Sequence, residues 1–202
     1  MAGSTSREQL VAAARAHLDE HGVEGLTLRQ VARRAGVSHG APLRHFPSLA
    51  ALCSAVAAEA FDGLYAEVAA AMDEVDGDDA RARLRAAGRG YLRFAMGNPG
   101  PFTLMFRRDL CDVEDPHLVA ASGAAFAQIL FATSEAQATG WRSDDPTAEA
   151  AAVIWAQVHG LATLTLLGTL PAAVAANGGD PDLCHLFDLA QEALGADPGR
   201  TP

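Results

Sequence analysis

Between Leu26 and Leu52 the chain fits two helix starts, a glycine stop and a proline stop into 27 residues, and the run carries four arginines, Arg29, Arg33, Arg34 and Arg44. Two short helices joined by a tight turn, with guanidinium groups outside, are the parts from which a grip on duplex DNA is made. An N-terminal module of about 50 residues must lean on the rest of the chain for its core.

The local rules set each boundary. Thr27 with Gln30 forms a capping box, so a helix begins there with Leu28, Val31, Ala32 and Ala35 on one face and Arg29, Arg33 and Arg34 largely on the other. Gly36 ends it. Ser38 is a candidate N-cap for a second helix, in which His39, Gly40, Ala41, Arg44 and His45 include the groove-facing positions and Phe46 anchors the core side. Gly40 and Ala41 are small, and bulk there would hold the helix away from base edges. Pro42 lies in the first turn, where a missing amide hydrogen costs little, Pro47 stops the helix and Ser48 can cap the next.

These residues resemble the helix-turn-helix of TetR-type transcriptional regulators. The resemblance covers residues 7 to 54 and rests on Thr27-Leu28-Arg29-Gln30-Val31-Ala32, Gly36-Val37-Ser38 and Arg44-His45-Phe46-Pro47-Ser48. It implies a homodimeric, mostly repressing regulator whose three N-terminal helices bind an operator and whose C-terminal body senses a small molecule. The DNA-binding candidates are Thr27, Arg29, Ser38, His39, Gly40, Ala41, Arg44 and His45. Two positions depart from the pattern: Leu43 stands where such proteins commonly carry a phosphate-contacting tyrosine, and Leu49 where many carry a lysine. Neither leucine can donate to phosphate, so backbone contacts fall to Ser38, Arg44, His45 and helix-end amides.

The charge distribution agrees with this division. The net charge is −10, yet residues 1 to 50 hold six arginines against four acidic residues, while residues 51 to 202 hold nine against 21. An acidic body repels DNA and confines attraction to the N-terminal face, and two weakly basic heads in a dimer would supply the affinity that one lacks. There is no lysine, but arginine serves both phosphate and guanine. Cys53, Cys111 and Cys184 are too widely spaced for a metal site and odd in number, so they read as reduced thiols. The uncharged stretch from Ala150 to Leu170 is interrupted by Gln157, His159, Gly160 and three threonines and lacks a basic flank, which favours a buried helix over a membrane span. The expectation is a cytoplasmic protein with no membrane association.

The fold expected is all-α: a three-helix head, residues 1–50, followed by a larger effector-binding and dimerisation body, residues 51–202, with nine or so helices in all. The first helix runs from 7 to 21, opened by Thr5 with Glu8 and closed at Gly22. Others are expected from Leu49 to about Val75, Ala80 to Gly97, Pro99 to Arg108, His117 to Thr139, Pro146 to Leu170 and Pro181 to Leu194. Acidic runs at Asp76–Asp79 and Asp112–Asp115 read as solvated loops.

Within the body, Trp155, His159 and Gly160 are similar to a tryptophan, histidine, glycine pattern of one C-terminal domain type of these regulators. Trp155 and His159 share a helix face, either as core with His159 donating to a neighbouring carbonyl, or with His159 lining a ligand cavity. Gly160 would allow another backbone to come close. An apolar effector pocket is expected from Met96, Phe102, Met105, Phe106, Phe126, Trp155 and His159. Dimer contacts are expected from Leu161, Leu164, Leu183 and Leu186, in a four-helix interface. No cofactor and no metal is expected, since His17 and His21 alone make a poor zinc pair. No catalytic constellation emerges; a small-molecule-binding helical enzyme and a helical protein-interaction module are the alternatives.

Overall fold

The computed structural model describes residues 7 to 195; Thr5, the expected cap of the first helix, lies outside the described residues. The elements in order are α1 (Arg7–His21), α2 (Leu28–Arg34), a 3-10 turn η1 (Pro42–Arg44), α3 (Leu49–Asp73), α4 (Ala80–Gly97), α5 (Pro99–Met105), α6 (Pro116–Ala138), α7 (Thr147–Leu166), α8 (Thr169–Ala176) and α9 (Leu183–Gly195). They gather into two compact units. One holds the described residues up to Leu64 together with Gly97–Ala125; the other holds Tyr65–Met96 and the described residues from Phe126 onward.

The first unit is built on α1. Leu10, Val11, Ala14 and Leu18 are buried there as the periodicity requires, and they pack with Val31, Phe46, Leu52, Val56 and Leu104. The start of α5 lies directly on the last turn of α1: a Cβ on Gly100 would stand 2.4 Å from the Leu18 carbonyl carbon. Only glycine permits that approach. The turn after α5 is held by Ser54, whose hydroxyl accepts from the Asp112 amide at 2.8 Å and donates to the Asp112 carbonyl at 3.1 Å. Burial lifts the Cys53 thiol to about 12 and the Cys111 thiol to about 11, so both stay protonated at neutral pH.

Carboxylates in the acidic loops do more than solvate them. Asp79 accepts from the Ala82 amide at 2.9 Å, Asp115 from His117 and Leu118 at 2.9 and 3.1 Å, and Asp182 from His185 at 2.8 Å. Each satisfies orphan donors at the start of a helix.

In the second unit α4 crosses the end of α3 at Gly90, where a Cβ would be 2.9 Å from Ala71 Cβ and from the Glu67 carbonyl oxygen. Gly88 likewise receives the fully buried Phe187 ring of α9. One expected helix is corrected. The stretch from Pro146 to Leu170 breaks because Gly168 takes φ +70°, and the chain turns by 82° into the separate helix α8. By length and composition alone α3 and α6 are also apolar enough to cross a membrane, a property that the absence of charge makes obvious only for Ala150–Leu170. Half of that window of α3 is buried inside the protein.

Candidate nucleic-acid interface

Helix α2 begins as expected. The Thr27 hydroxyl accepts from the Gln30 amide at 3.2 Å and donates to the Gln30 side-chain oxygen at 2.9 Å. It ends in a Schellman motif: the Val37 amide donates to the Ala32 carbonyl at 2.9 Å, the Gly36 amide to Arg33 at 3.2 Å, and Gly36 carries φ +70°. Val31 and Ala32 are buried, leaving Arg29, Arg33 and Arg34 exposed. Arg34 is then taken up by a two-pronged ion pair with Glu20 of α1, one arm at 2.7 Å, which ties α2 to its support. Burial, with His21 and Arg34 nearby, holds the His17 imidazole below its usual range, so it stacks neutral on His21 at 4.7 Å.

The second helix expected from Ser38 is not an α-helix. Ser38 closes a turn with its carbonyl, accepting from the Ala41 amide at 2.9 Å, and the following residues wind as the 3-10 turn η1. Pro42 has no amide hydrogen to return to Ser38, so the α ladder cannot start. The turn is nevertheless fixed at both ends. Pro42 and Phe46 are buried, the Phe46 amide donates to the Pro42 carbonyl at 2.8 Å, and the Arg7 guanidinium lies 5.3 Å from the Phe46 ring centroid. Between these anchors Leu43, Arg44 and His45 stand exposed in succession. Leu43, at 57% exposure, is a large apolar side chain held out to solvent. Ser38, His39 and Gly40 are exposed, Ala41 is half-buried, and a Cβ on Gly40 would meet nothing within 4 Å. The eight expected DNA-facing residues therefore lie on α2 and the following turn of one unit, with Thr27 also engaged as the cap.

The expected effector residues divide between the two units. In the first, Phe102 and Met105 are buried and Phe106 packs edge-on against Phe102 and Phe61 at 5.3 and 6.0 Å. In the second, Met96 is half-buried, while Phe126 and Trp155 meet edge to face at 5.9 Å. Sequence reasoning missed the polar group at the centre, Tyr91. Its hydroxyl lies 2.9 Å from His159 Nδ1, and the Trp155 indole N–H donates to the same oxygen. With Trp155 as donor, every atom is satisfied if Tyr91 donates to Nδ1 and His159 carries its proton on Nε2, 3.4 Å from the Thr163 hydroxyl. His159 thus lies within hydrogen-bond distance of a side chain on α4 and of Thr163. Burial lowers its pKa and raises that of Tyr91, which keeps both neutral. Trp155 remains 39% exposed, too open for a pure core residue. Among the described residues, no atom outside its own helix backbone lies within 4 Å of a Cβ on Gly160, so no second backbone among them approaches it. Of the expected dimer contacts, Leu164 is exposed, and Leu161, Leu183 and Leu186 are half-buried.

A capped helix followed by a turn that exposes an arginine and a histidine, on an all-α scaffold, is the arrangement expected of a helix-turn-helix DNA-binding regulator. Comparison with known families agrees. Residues 10–56 match the family of bacterial regulatory proteins, tetR family, and residues 84–191 match the tetracyclin repressor-like C-terminal domain. The chain belongs to the TetR family and is a ligand-responsive, DNA-binding transcriptional regulator. Among solved structures it is similar to a protein of unknown function from Rhodococcus sp. RHA1, at 32% identity and TM-score 0.79 over 96% of this chain and 95% of that one. It is also similar to the TetR family transcriptional regulator PfmR from Thermus thermophilus, at 17% identity and TM-score 0.71 over 98% and 99% of the two chains. The fatty acid degradation regulator FadR from Bacillus halodurans is similar at 15% identity and TM-score 0.72 over 96% and 97%. A search of curated proteins finds no match.

Proposed function

We propose that the chain acts as a homodimeric repressor in the cytoplasm, with residues 1–50 reading operator DNA and residues 51–202 providing effector binding and dimerisation. Two copies of the head read the half-sites of a palindromic operator through Thr27, Arg29, Ser38, His39, Gly40, Ala41, Arg44 and His45. The observation that carries this is the exposed Leu43-Arg44-His45 turn, fixed at Pro42 and Phe46. Leu43 replaces a hydrogen-bond donor with an apolar contact to sugar or a thymine methyl. Half-sites about 34 Å apart require two heads at a fixed spacing. An effector that favours one body conformation and shifts α3 would spoil that spacing and release the DNA.

The effector reading rests on Met96, Phe126, Trp155 and His159 of the second unit, with the neutral Tyr91-His159-Trp155 group offering hydrogen bonds but no charge, while Phe102, Met105 and Phe106 pack within the first unit. That chemistry suits a largely apolar molecule with one polar end. Dimerisation through α7 and α9, with Leu161, Leu164, Leu183 and Leu186, is supported by the apolar side chains that one copy leaves open: Val153 and Leu164 on α7, Leu167 at its C-terminal cap and Leu189 on α9, Leu167 being 70% exposed. A second copy is the occupant we assign to that face, in preference to lipid.

The test is Arg44→Ala, measured by fluorescence anisotropy on a selected operator duplex at fixed salt. Removing the arginine's hydrogen bonds to a base edge should weaken binding by about 1 to 3 kcal/mol while the dimer mass is unchanged. Equal affinity would remove Arg44 from the interface.

A further inference from the structure

Helix α4 carries five arginines, and three of them are matched with carboxylates from neighbouring elements. Arg83 pairs with Glu135 at 2.8 Å, Arg89 with Asp188 at 2.7 Å, and Arg93 with Glu67 at 2.9 Å and Glu74 at 3.5 Å. Arg81 and Arg85 have no ion-pair partner among the described residues, although the chain holds 25 acidic side chains. They stand one helical turn apart, where like charges repel. Both line one shallow open groove, together with Leu84, Trp141 and Gln191.

The cleft is constructed rather than incidental. Trp141 is flanked by the Arg81 guanidinium at 5.9 Å and that of Arg142 at 6.0 Å. Its loop is held in a costly shape, with Arg142 in the left-handed region at φ 49°. Gln137 maintains that shape, donating to the Arg142 carbonyl at 2.9 Å and the Asp145 carbonyl at 2.8 Å while accepting from the Thr147 hydroxyl at 2.7 Å. Arg142 adds a bond to Asp145 at 2.5 Å. Leu84 is buried beneath. On the α9 side, Gln191 spends one amide hydrogen on Gln157 at 3.0 Å, and its carbonyl oxygen and other hydrogen are not used in that bond.

We propose that this cleft is a second ligand site, for a small organic anion: a carboxylate or phosphate joined to a flat apolar group. The anion bridges Arg81 and Arg85 and relieves their repulsion. The flat group lies along the part of the half-buried Trp141 ring that the arginines leave open, and Gln191 selects among polar substituents. Neither arginine alone could supply this, since a single exposed cation holds an anion weakly in water. The site is separate from Trp155 and His159, and its test needs no DNA.

The test uses full-length protein with indole-3-acetate and phenyl phosphate as probes, and acetate and inorganic phosphate to separate charge from ring. Calorimetry gives affinity, and the indole N–H resonances of Trp141 and Trp155, assigned with Trp141→Phe, give location. Both aromatic anions should bind, shift the Trp141 resonance and leave that of Trp155 in place, and the ring-free anions should bind at least about tenfold more weakly. Arg81→Gln and Arg85→Gln should each weaken binding about tenfold or more without lowering the unfolding temperature appreciably, and added salt should mimic them. Absence of binding by either aromatic anion, equal binding by acetate, or affinity that survives both substitutions would overturn the proposal.

Discussion

Replacing Gly100 with alanine sets two physical effects against each other, and the structure decides between them. Gly100 is in the first turn of α5, where alanine would ordinarily strengthen a helix by up to about 1 kcal/mol. Its Cβ, however, would stand 2.4 Å from the Leu18 carbonyl carbon, 2.5 Å from the Leu18 oxygen and 2.7 Å from the Asp19 nitrogen. All three are backbone atoms of α1, which cannot swing aside as a side chain can. Ordinary contact would require α5 to retreat by about 1 Å, disturbing the buried Phe102 and Leu104 behind it. Overpacking of this kind costs about 1 to 3 kcal/mol, so the net effect is destabilising by about 1 to 2 kcal/mol. At this chain length that is a fall in unfolding temperature of roughly 2 to 8 °C, read by circular dichroism. Gly123→Ala is the matched control: it too is helical, on α6, but its Cβ meets nothing within 4 Å, and the substitution should hold or raise the unfolding temperature. If Gly100→Ala were as stable as the control, the close seat of α5 on α1 would be wrong.

Three further outcomes are expected. Gly40→Leu should fold as well as the parent, because a Cβ there meets nothing, yet should lose operator affinity in an anisotropy titration by holding the turn off the groove; unchanged affinity would move the contact surface elsewhere. Stability should fall with pH below about 6.5, because the unfolded chain takes up the His17 and His159 protons at their ordinary value while the folded chain, by burying both groups, does so only at lower pH. His17→Leu should lessen that slope between about pH 7.5 and 5.5 and remove a buried Nε2 that has no hydrogen-bond partner among the described residues, whereas an unaltered slope would assign it to His159 or other groups. Leu164→Glu should convert the dimer to monomer in sedimentation at micromolar protein, and a persistent dimer would place the interface away from that part of α7.

The fold is readable in the sequence wherever a boundary is made by neighbours along the chain. Thr27 with Gln30 and Gly36 after Arg34 specify α2, and Ser48, whose hydroxyl accepts from the Ala51 amide at 3.1 Å, opens α3. Gly168 carries the same kind of signal for the end of α7, masked by an apolar run that continues through it. Pro42 has the position of a helix opener, but its missing hydrogen breaks the ladder from Ser38 and leaves a 3-10 turn. Long-range partners have no such signal. Tyr91 and His159 are 68 residues apart, and nothing local to His159 announces a phenol. The same holds for Arg81 and Arg85: their lack of ion-pair partners among the described residues becomes visible only when the carboxylates reached by Arg83, Arg89 and Arg93 are placed around them.

The most direct measurement is selection of bound duplex from a random pool by the intact protein, followed by repetition with Arg44→Ala. The account predicts a palindromic motif with half-sites about one helical turn apart, or a whole multiple of it, and loss of enrichment in the variant. Recovery of no motif at low salt, or of the same motif at the same enrichment by the variant, would contradict it.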